Sequence, residues 1–369
     1  MIIPFVSFKH MHNPIKAEIM KAFEEFYDSN WYVLGERVNQ FELAYSFFNQ
    51  VKYTIGVSNG LDAIFIALKT IGIGDGDEVL VPSNTYIATW LAVSYTGATP
   101  IPVEPDLVTY NINPKLIEAS ITNKTKVIIP VHLYGQCCQM NEIMNIAKKY
   151  NLFVIEDNAQ AQGASFQNQL SGSFGHINAT SFYPGKNLGA LGDAGAVTTN
   201  NEELAKKANV LRNYGSEKKY FNEVIGFNMR LDECQAAFLT IKLKHLLKWN
   251  EERRQIAEYY NRELFGINDL TLPSVIGEAT HVYHLYVIRT KNRNELQNYL
   301  TNHGIATMIH YPIPPHLQEA YKNLGYKKGD FPIAEEIADT CLSLPIWPGL
   351  KENDIQFICN HIKTYFKSN

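Results

Sequence analysis

Continuous apolar runs alternate with helical patterns over residues 53–157. Such runs, rather than strict apolar–polar alternation, are typical of strands buried on both faces. A helical pattern follows most of them, so the sequence predicts an α/β fold, with a mostly parallel sheet covered by helices. The runs are TIGVS (54–58), EVLVP (78–82), TPIPV (99–103), KVIIPVH (126–132) and FVIED (153–157).

The two ends of the chain carry different patterns. A helix is predicted over Ile15 to Tyr27, followed by a turn at Leu34-Gly35 and a second amphipathic helix. One long helical stretch is predicted from Arg230 through Tyr260, and then a strand at HLYVIRT (284–290), a helix at NRNELQNYL, a short strand near Ala306 and terminal helices. We therefore predict a large domain over residues 1–250 and a smaller α+β domain over residues 251–369.

Composition narrows the functional classes. The chain has 369 residues, 46% hydrophobic and 19% charged, and a net charge of -4, which argues against a nucleic-acid binder that works by neutralising phosphates. Its five cysteines show neither metal-binding nor secreted spacing, so we expect reduced thiols and no metal site. The start MIIPFVSFKH has no basic segment followed by a long apolar one, and no apolar run reaches membrane-spanning length, so we expect a soluble cytoplasmic protein. GIGDGD (72–77) follows a helix and precedes a strand, the reverse of the dinucleotide fingerprint, so a nicotinamide enzyme has little support.

One lysine lies in an unusual loop, and polar residues follow several of the predicted strands. Lys186 lies within SFYPGKNLGALGDAGAV (181–197), five residues after Ser181. Asp157 ends a strand, Asn59-Gly60-Leu61-Asp62 opens a helix after another, and Tyr86 lies just past a third. Alone, each has a plain explanation. Asp157 could be a helix cap or part of an ion pair, Asn59-Gly60-Leu61-Asp62 an ordinary helix start, and Tyr86 a residue packed in the core. Ligands of α/β sheets bind at the carboxyl ends of strands, where these residues coincide.

Together these residue types predict a site for pyridoxal phosphate. The cofactor needs a lysine to form an imine, a carboxylate to keep the ring nitrogen protonated, a helix N-terminus for the phosphate and an aromatic face for the ring. Lys186, Asp157, the helix start at Gly60 and Tyr86 supply these groups. A surface charge would explain Lys186 alone but not its glycine- and asparagine-rich loop.

With these motifs the chain resembles the sugar-nucleotide aminotransferases of the DegT/DnrJ/StrS group from about Ile3 to Ile362. The resemblance implies the fold-type-I aspartate-aminotransferase architecture. The motifs that carry it are YVLG, GVSNGLDA, PSNTYIAT, VHLYGQ, EDNAQAQGA, SFYPGKNLGALGDAG, GFNMRLDECQAA and HYPIPPHLQ.

The resemblance also implies roles for individual residues. Lys186 would bond to the cofactor, Asp157 would pair with its ring nitrogen, Gln160 would approach its hydroxyl and Tyr86 would stack on its ring. The phosphate would be held by Gly60, Leu61 and Ser181, and by Asn228 of the neighbouring subunit in a homodimer with shared sites. From the residues alone, Asn228 would be a turn residue before a helix.

The similarity of individual segments to particular enzymes of the group suggests a substrate. It favours amination at C-3 of a dTDP-3-oxo-6-deoxyhexose, the galacto product over the gluco, with glutamate as donor, 2-oxoglutarate as its product and surface-glycan synthesis as the setting. Candidate substrate contacts are Tyr183, His310 and His316, and for each histidine structural packing is at least as good an explanation. A C-4 aminotransferase and a non-catalytic, regulatory pyridoxal-phosphate protein stay as alternatives.

Two positions depart from the group's pattern. Asn158 and Gln162 stand where many relatives have alanine and histidine, which puts in doubt any role of an imidazole at position 162. A branch of the group works as sugar dehydratases with histidine at the lysine position, and Lys186 argues against that branch.

Overall fold

The computed structural model describes residues 2–368, which form eleven strands and twelve α-helices. The strands are β1 (Tyr53–Val57), β2 (Glu78–Pro82), β3 (Thr99–Val103), β4 (Thr125–Ile128), β5 (Phe153–Val154), β6 (Ser165–Phe166), β7 (Gln169–Leu170), β8 (Asn178–Ser181), β9 (Gly195–Thr199), β10 (Tyr286–Arg289) and β11 (Cys341–Leu344). The helices are α1 (Lys9–Asp28), α2 (Glu36–Asn49), α3 (Gly60–Thr70), α4 (Ile87–Tyr95), α5 (Pro114–Ile117), α6 (Met140–Tyr150), α7 (Glu202–Leu211), α8 (Glu233–Leu243), α9 (Leu246–Leu264), α10 (Arg293–Asn302), α11 (Pro332–Thr340) and α12 (Glu352–Ser368).

The central sheet consists of two parts that meet at Asp157. Four parallel strands lie in the order β3-β2-β4-β5, and three antiparallel strands lie in the order β1-β9-β8. Asp157 forms parallel bridges to Val131 on one side and to Ala179 on the other, so its backbone joins the two parts. The α/β fold class is confirmed, with an antiparallel strand, β9, inside the sheet.

Helices cover this sheet as the apolar runs predict. In α3, seven of the eleven residues are buried, which is typical of a helix enclosed by other elements rather than lying on the surface. It packs against α4, α7, β8 and β9. Its amino end follows β1 directly, which brings the first turn of the helix to the carboxyl edge of the sheet.

A buried glutamate of α8 joins this helix to the start of α2. The carboxylate of Glu233 accepts hydrogen bonds from the N–H groups of Gly35 at 2.7 Å, Arg37 at 3.1 Å and Val38 at 3.0 Å, and so satisfies the start of α2. A Cβ atom on Gly35 would lie 2.5 Å from the side chain of Trp31, which explains the glycine at this turn. The predicted turn and second helix are confirmed.

The C-terminal part has its own core, built from α9, α10, α12, β10 and β11. Ile3 joins it through a bridge to Ile305. The predicted division at residue 250 lies inside α9 and stays a prediction. Two expectations are wrong: the stretch from residue 230 to 260 is two helices interrupted after α8, and around Ala306 the described chain has isolated bridges instead of a strand.

No helix within residues 2–368 combines the length and the apolar character that a membrane span requires.

Candidate active site

The amino end of α3 presents free backbone N–H groups. Asn59 caps the helix, and its Oδ1 accepts a hydrogen bond from the N–H of Asp62 at 2.9 Å. The N–H groups of Gly60 and Leu61 have no acceptor within the described chain. A Cβ atom on Gly60 would lie 2.5 Å from the Cβ atom of Ser181, so glycine allows a very close approach. Two free N–H groups at the positive end of a helix, beside a serine hydroxyl, suit a phosphate.

Asp157 holds a buried carboxylate at the junction of the two sheet parts. Its side chain receives hydrogen bonds from the hydroxyl of Thr89 at 2.9 Å and from the N–H of Ala159 at 3.1 Å. Burial raises the pKa of this carboxyl, and the two hydrogen bonds and the charge of Lys186 oppose that effect. Such a carboxylate can bind a protonated ring nitrogen from within the protein.

Lys186 lies in the loop between β8 and β9, where its backbone N–H donates to the carbonyl of Tyr183 at 2.8 Å. Its side chain is half-buried. Burial lowers the pKa of Lys186 to about 8, and the carboxylate of Asp157 acts in the opposite direction. Such an amine is partly neutral at pH 7, as a nucleophile or a general base needs to be. The structure thus brings the predicted lysine and aspartate into one site.

Gln160 and Tyr86 lie on either side of a tyrosine that the sequence did not predict in the site. The Oε1 of Gln160 accepts a hydrogen bond from the N–H of Tyr134 at 2.7 Å, and its Nε2 donates to the hydroxyl of Tyr311 at 3.1 Å. The ring of Tyr86 is 5.2 Å from that of Tyr311 and is 52% exposed. Tyr86 therefore has an open face and is not a core residue, while its stacking on a cofactor stays a prediction.

The three candidate substrate residues have different surroundings. Tyr183 is exposed, three residues before Lys186. His310 is half-buried, 2.8 Å from the hydroxyl of Ser343 through Nδ1, and burial together with the charge of Lys186 lowers its pKa to about 4. His310 therefore lies in the electrostatic field of the site.

His316 is fully enclosed by other contacts. Its side chain is buried, with Nε2 at 3.1 Å from a carboxylate oxygen of Glu335 and its ring against Phe331. None of these contacts joins it to Lys186 or Asp157. The packing explanation therefore accounts for His316 in this chain, and its role as a substrate contact stays a prediction.

Asn228 lies far from the helix start of α3 in sequence and has an exposed side chain. Its backbone pairs with Asn213, just beyond α7. The predicted contact of Asn228 with a phosphate held by a second subunit stays a prediction.

Sequence reasoning missed residues whose roles depend on distant segments. His284 comes close enough to Lys186 for the lysine charge to act with burial in holding the pKa of His284 well below its usual value. Its buried Nδ1 has no hydrogen-bond partner within the described chain. The segment reads simply as a strand, so no sequence signal marks this histidine. Thr89 had one weak signal, its place one turn after Tyr86 in the motif SNTYIAT.

The two residues that depart from the pattern of the resembling group, Asn158 and Gln162, both form buried hydrogen bonds. Asn158 receives a hydrogen bond from the hydroxyl of Ser171 at 2.7 Å and donates to the carbonyl of the same residue at 3.2 Å. Gln162 donates to the carbonyl of Ser181 at 2.7 Å. The amide at position 162 therefore supports the backbone of Ser181 without an imidazole.

These features fit pyridoxal phosphate. The free N–H groups of Gly60 and Leu61 suit its phosphate, the buried carboxylate of Asp157 suits its ring nitrogen and the amine of Lys186 suits its aldehyde. No cluster of three or more histidine, cysteine, aspartate or glutamate side chains within residues 2–368 is arranged to hold a metal ion.

The chain is similar to known proteins over nearly its whole length. The chain is 50% identical over 364 residues to the dTDP-3-amino-3,6-dideoxy-alpha-D-galactopyranose transaminase of Aneurinibacillus thermoaerophilus, covering 99% of each chain. It is 44% identical over 369 residues to a pleiotropic regulatory protein of Geobacillus stearothermophilus, covering 100% of this chain and 99% of that one. The crystal structure of S. venezuelae DesV, in complex with a ketimine intermediate, superposes with a TM-score of 0.97 at 42% identity, covering 99% of both chains.

The family model of the DegT/DnrJ/EryC1/StrS aminotransferases matches residues 13–363. Aminotransferases of this family depend on pyridoxal phosphate, for which the site has a fitting lysine, carboxylate and phosphate cradle. The chain belongs to the DegT/DnrJ/EryC1/StrS aminotransferase family and is a pyridoxal-phosphate-dependent sugar-nucleotide aminotransferase.

Proposed function

We propose that the enzyme transfers the amino group of glutamate to C-3 of a dTDP-3-oxo-6-deoxyhexose. The products are 2-oxoglutarate and a dTDP-3-amino-3,6-dideoxyhexose, with the galacto configuration favoured over the gluco. The observation that carries the chemistry is the shared site of Lys186, with its pKa of about 8, and the buried carboxylate of Asp157. The sugar assignment is supported by 50% identity to a transaminase named for the galacto product.

Different residues of the site would bind the cofactor, orient it and transfer protons. When bound, pyridoxal phosphate supplies an electron sink for the carbon that loses its proton. Gly60, Leu61 and Ser181 would hold the phosphate, and Asp157 would keep the ring nitrogen protonated. Lys186 would bind the cofactor at rest and, once released, carry the proton between the two carbon atoms of the amino-transfer step. Its pKa near neutrality suits both uptake and release of that proton.

Gln160 would orient the cofactor from the side of its hydroxyl group. Its Oε1 is fixed by the N–H of Tyr134, so the amide cannot rotate without losing that hydrogen bond. Its Nε2 donates to the hydroxyl of Tyr311, which fixes the other end of the amide. Tyr86, with its open face, would cover the ring.

The direct test is product analysis. The cofactor-loaded enzyme is incubated with glutamate and the dTDP-3-oxo-6-deoxyhexose in both C-4 configurations, with the 4-oxo isomer in parallel, and products are identified by mass spectrometry and NMR. We expect a 3-amino sugar from the 3-oxo substrate, none from Lys186→Ala, and full activity in Lys248→Ala, which removes an exposed lysine. Amination of the 4-oxo sugar alone would overturn the C-3 assignment in favour of a C-4 aminotransferase.

The similarity to a pleiotropic regulatory protein favours one second candidate, a regulatory protein that binds pyridoxal phosphate without turnover. The two candidates differ in the first half-reaction, which needs only glutamate. We expect stoichiometric formation of 2-oxoglutarate from one equivalent of loaded enzyme. Bound cofactor that leaves glutamate unchanged would support the regulatory protein instead.

We also propose that the active unit is a homodimer in which Asn228 reaches the phosphate bound by a second copy. Mixing Lys186→Ala with Asn228→Ala chains tests this sharing, since a hybrid dimer has one site with both natural residues. Random re-assortment of equal amounts of the two variant chains should give both natural residues to about a quarter of the sites. Activity that stays at the level of the separate variants would contradict the shared site.

A further inference from the structure

A second lysine is buried near the loop that carries Lys186. Lys242, near the end of α8, is only 3% exposed, and its Nζ donates a hydrogen bond to the carbonyl of Gly189 at 2.6 Å. Within the described chain it forms no ion pair with a carboxylate. Burial of an ammonium group without an opposite charge costs free energy, so packing alone does not account for a lysine here.

The acceptor of this hydrogen bond lies where the loop crosses itself. Gly189 is three residues beyond Lys186, and a Cβ atom there would lie 2.2 Å from the carbonyl oxygen of Pro184. The N–H of Lys186 donates to the carbonyl of Tyr183, the residue before Pro184, so the turn that carries Lys186 begins beside this crossing. Movement of Gly189 would therefore move the turn that carries Lys186.

Helix α8 holds the loop at two points. Besides the hydrogen bond from Lys242 to Gly189, the Oε1 of Gln235 accepts a hydrogen bond from the N–H of Leu191 at 2.8 Å. Positions 235 and 242 are seven residues apart, close to two turns, so both side chains lie on the same face of α8. One face of the helix thus binds both a carbonyl and an N–H group of the loop.

We propose that Lys242 is a positioning residue, whose hydrogen bond to the carbonyl of Gly189 fixes the loop in the conformation that presents Lys186 to the cofactor. This inference rests on the proposed role of Lys186. Lys242 acts through the backbone: burial and Asp157 account for the pKa of Lys186, without a contribution from the charge of Lys242.

The surroundings of Lys242 show that its charge is not balanced. Burial lowers the pKa of Lys242 to about 8, and the charge of Lys242 acts in turn on His12 of α1. Burial and the charge of Lys242 lower the pKa of His12 to about 4, so this histidine is neutral at pH 7. A group whose pKa is lower in the folded chain destabilises the fold below that pKa, and the cost disappears as the pH rises. Lys242 therefore lowers stability at pH 7 while it holds the loop.

The test compares Lys242→Met with Lys244→Met, which changes an exposed lysine two residues further on. Hydrogen exchange of the backbone amides of residues 186–191, followed by mass spectrometry on the protein without cofactor, reports the loop directly. We expect Lys242→Met to exchange at least tenfold faster there, and to couple pyridoxal phosphate to Lys186 at least tenfold more slowly, with no loss of Tm at pH 7. Lys244→Met should match the wild type in all three measurements.

Unchanged exchange at residues 186–191 in Lys242→Met would overturn the proposal, as would a lower Tm with an unchanged coupling rate. Gln235→Leu removes the second hydrogen bond between α8 and the loop without a change of charge, and loop exchange in it as slow as in the wild type would contradict the attachment of the loop at two points. Because the exchange measurement needs no cofactor, it separates the two proposals. A wild-type protein that does not bind pyridoxal phosphate at Lys186 would contradict the proposed function and leave the loop result valid.

Discussion

Replacing Gly60 by alanine tests the phosphate cradle at the start of α3. The added Cβ atom would lie 2.5 Å from the Cβ atom of Ser181, whereas ordinary contacts begin at 3.4 Å. The helix start or the serine must therefore move by about 1 Å, since neither atom belongs to a flexible side-chain end. A movement of that size misaligns the two free N–H groups with a bound phosphate.

The expected magnitude follows from the hydrogen bonds at stake. A hydrogen bond to a charged group contributes about 1.5–3 kcal/mol, and Gly60→Ala weakens two of them without abolishing either. We expect the affinity for pyridoxal phosphate to fall by roughly 10- to 100-fold. The lysine and the aspartate are untouched, so the ring should still bind.

Absorbance titration of the cofactor-free protein measures this loss, with pyridoxal as a second ligand because it has the ring and aldehyde but no phosphate. We expect Gly60→Ala to weaken binding of pyridoxal phosphate strongly and that of pyridoxal little. Gly74→Ala is the matched control, since its Cβ atom would meet nothing closer than the carbonyl of Thr96 at 3.8 Å. Equal losses for both ligands in Gly60→Ala would refute the cradle, because the damage would then not depend on the phosphate.

Three further predictions concern the lysine and its supports. The rate at which cofactor-free protein couples pyridoxal phosphate to Lys186 should rise about tenfold per pH unit up to a pH of about 8 and level off above it, because only the neutral amine reacts. Stopped-flow absorbance measures this rate, and a rate that keeps rising to pH 10 would contradict the lowered pKa. Asp157→Asn should lower turnover at least ~100-fold. It should also move the midpoint of this pH dependence below 8, since Asp157 raises the pKa of Lys186. An unshifted midpoint would contradict an electrostatic interaction between the two side chains. Gln162→Leu should reduce the free energy of unfolding by about 1–3 kcal/mol, measured by urea denaturation, because it leaves the carbonyl of Ser181 unpaired. Gln162→His, which retains a donor, should remain close to the wild type, and equal losses in both variants would argue against the hydrogen bond as the cause.

The sequence alone predicted the elements whose signals are local. The glycine-rich loop around Lys186, the helix start at Gly60 and the strand that ends at Asp157 each depend on a few neighbouring residues, and apolar periodicity gave the order of strands and helices. Because the carboxyl ends of parallel strands meet at one edge, these local signals also predicted that the residues share a site. For Lys186 and Asp157 the structure shows an electrostatic interaction between the two side chains, and the sharing of one site with the helix start at Gly60 stays a prediction.

What only the tertiary structure decided depends on contacts between distant segments. The position of β9 between β1 and β8, the approach of His284 to Lys186 and the hydrogen bond from Lys242 to Gly189 join parts of the chain that are tens of residues apart. The break between α8 and α9 also escaped prediction, because the apolar periodicity continues across it. A pattern of apolar and polar positions tells which face of an element is buried, but not which other element covers that face. The supports of the active-site loop therefore became visible only when the chain was folded.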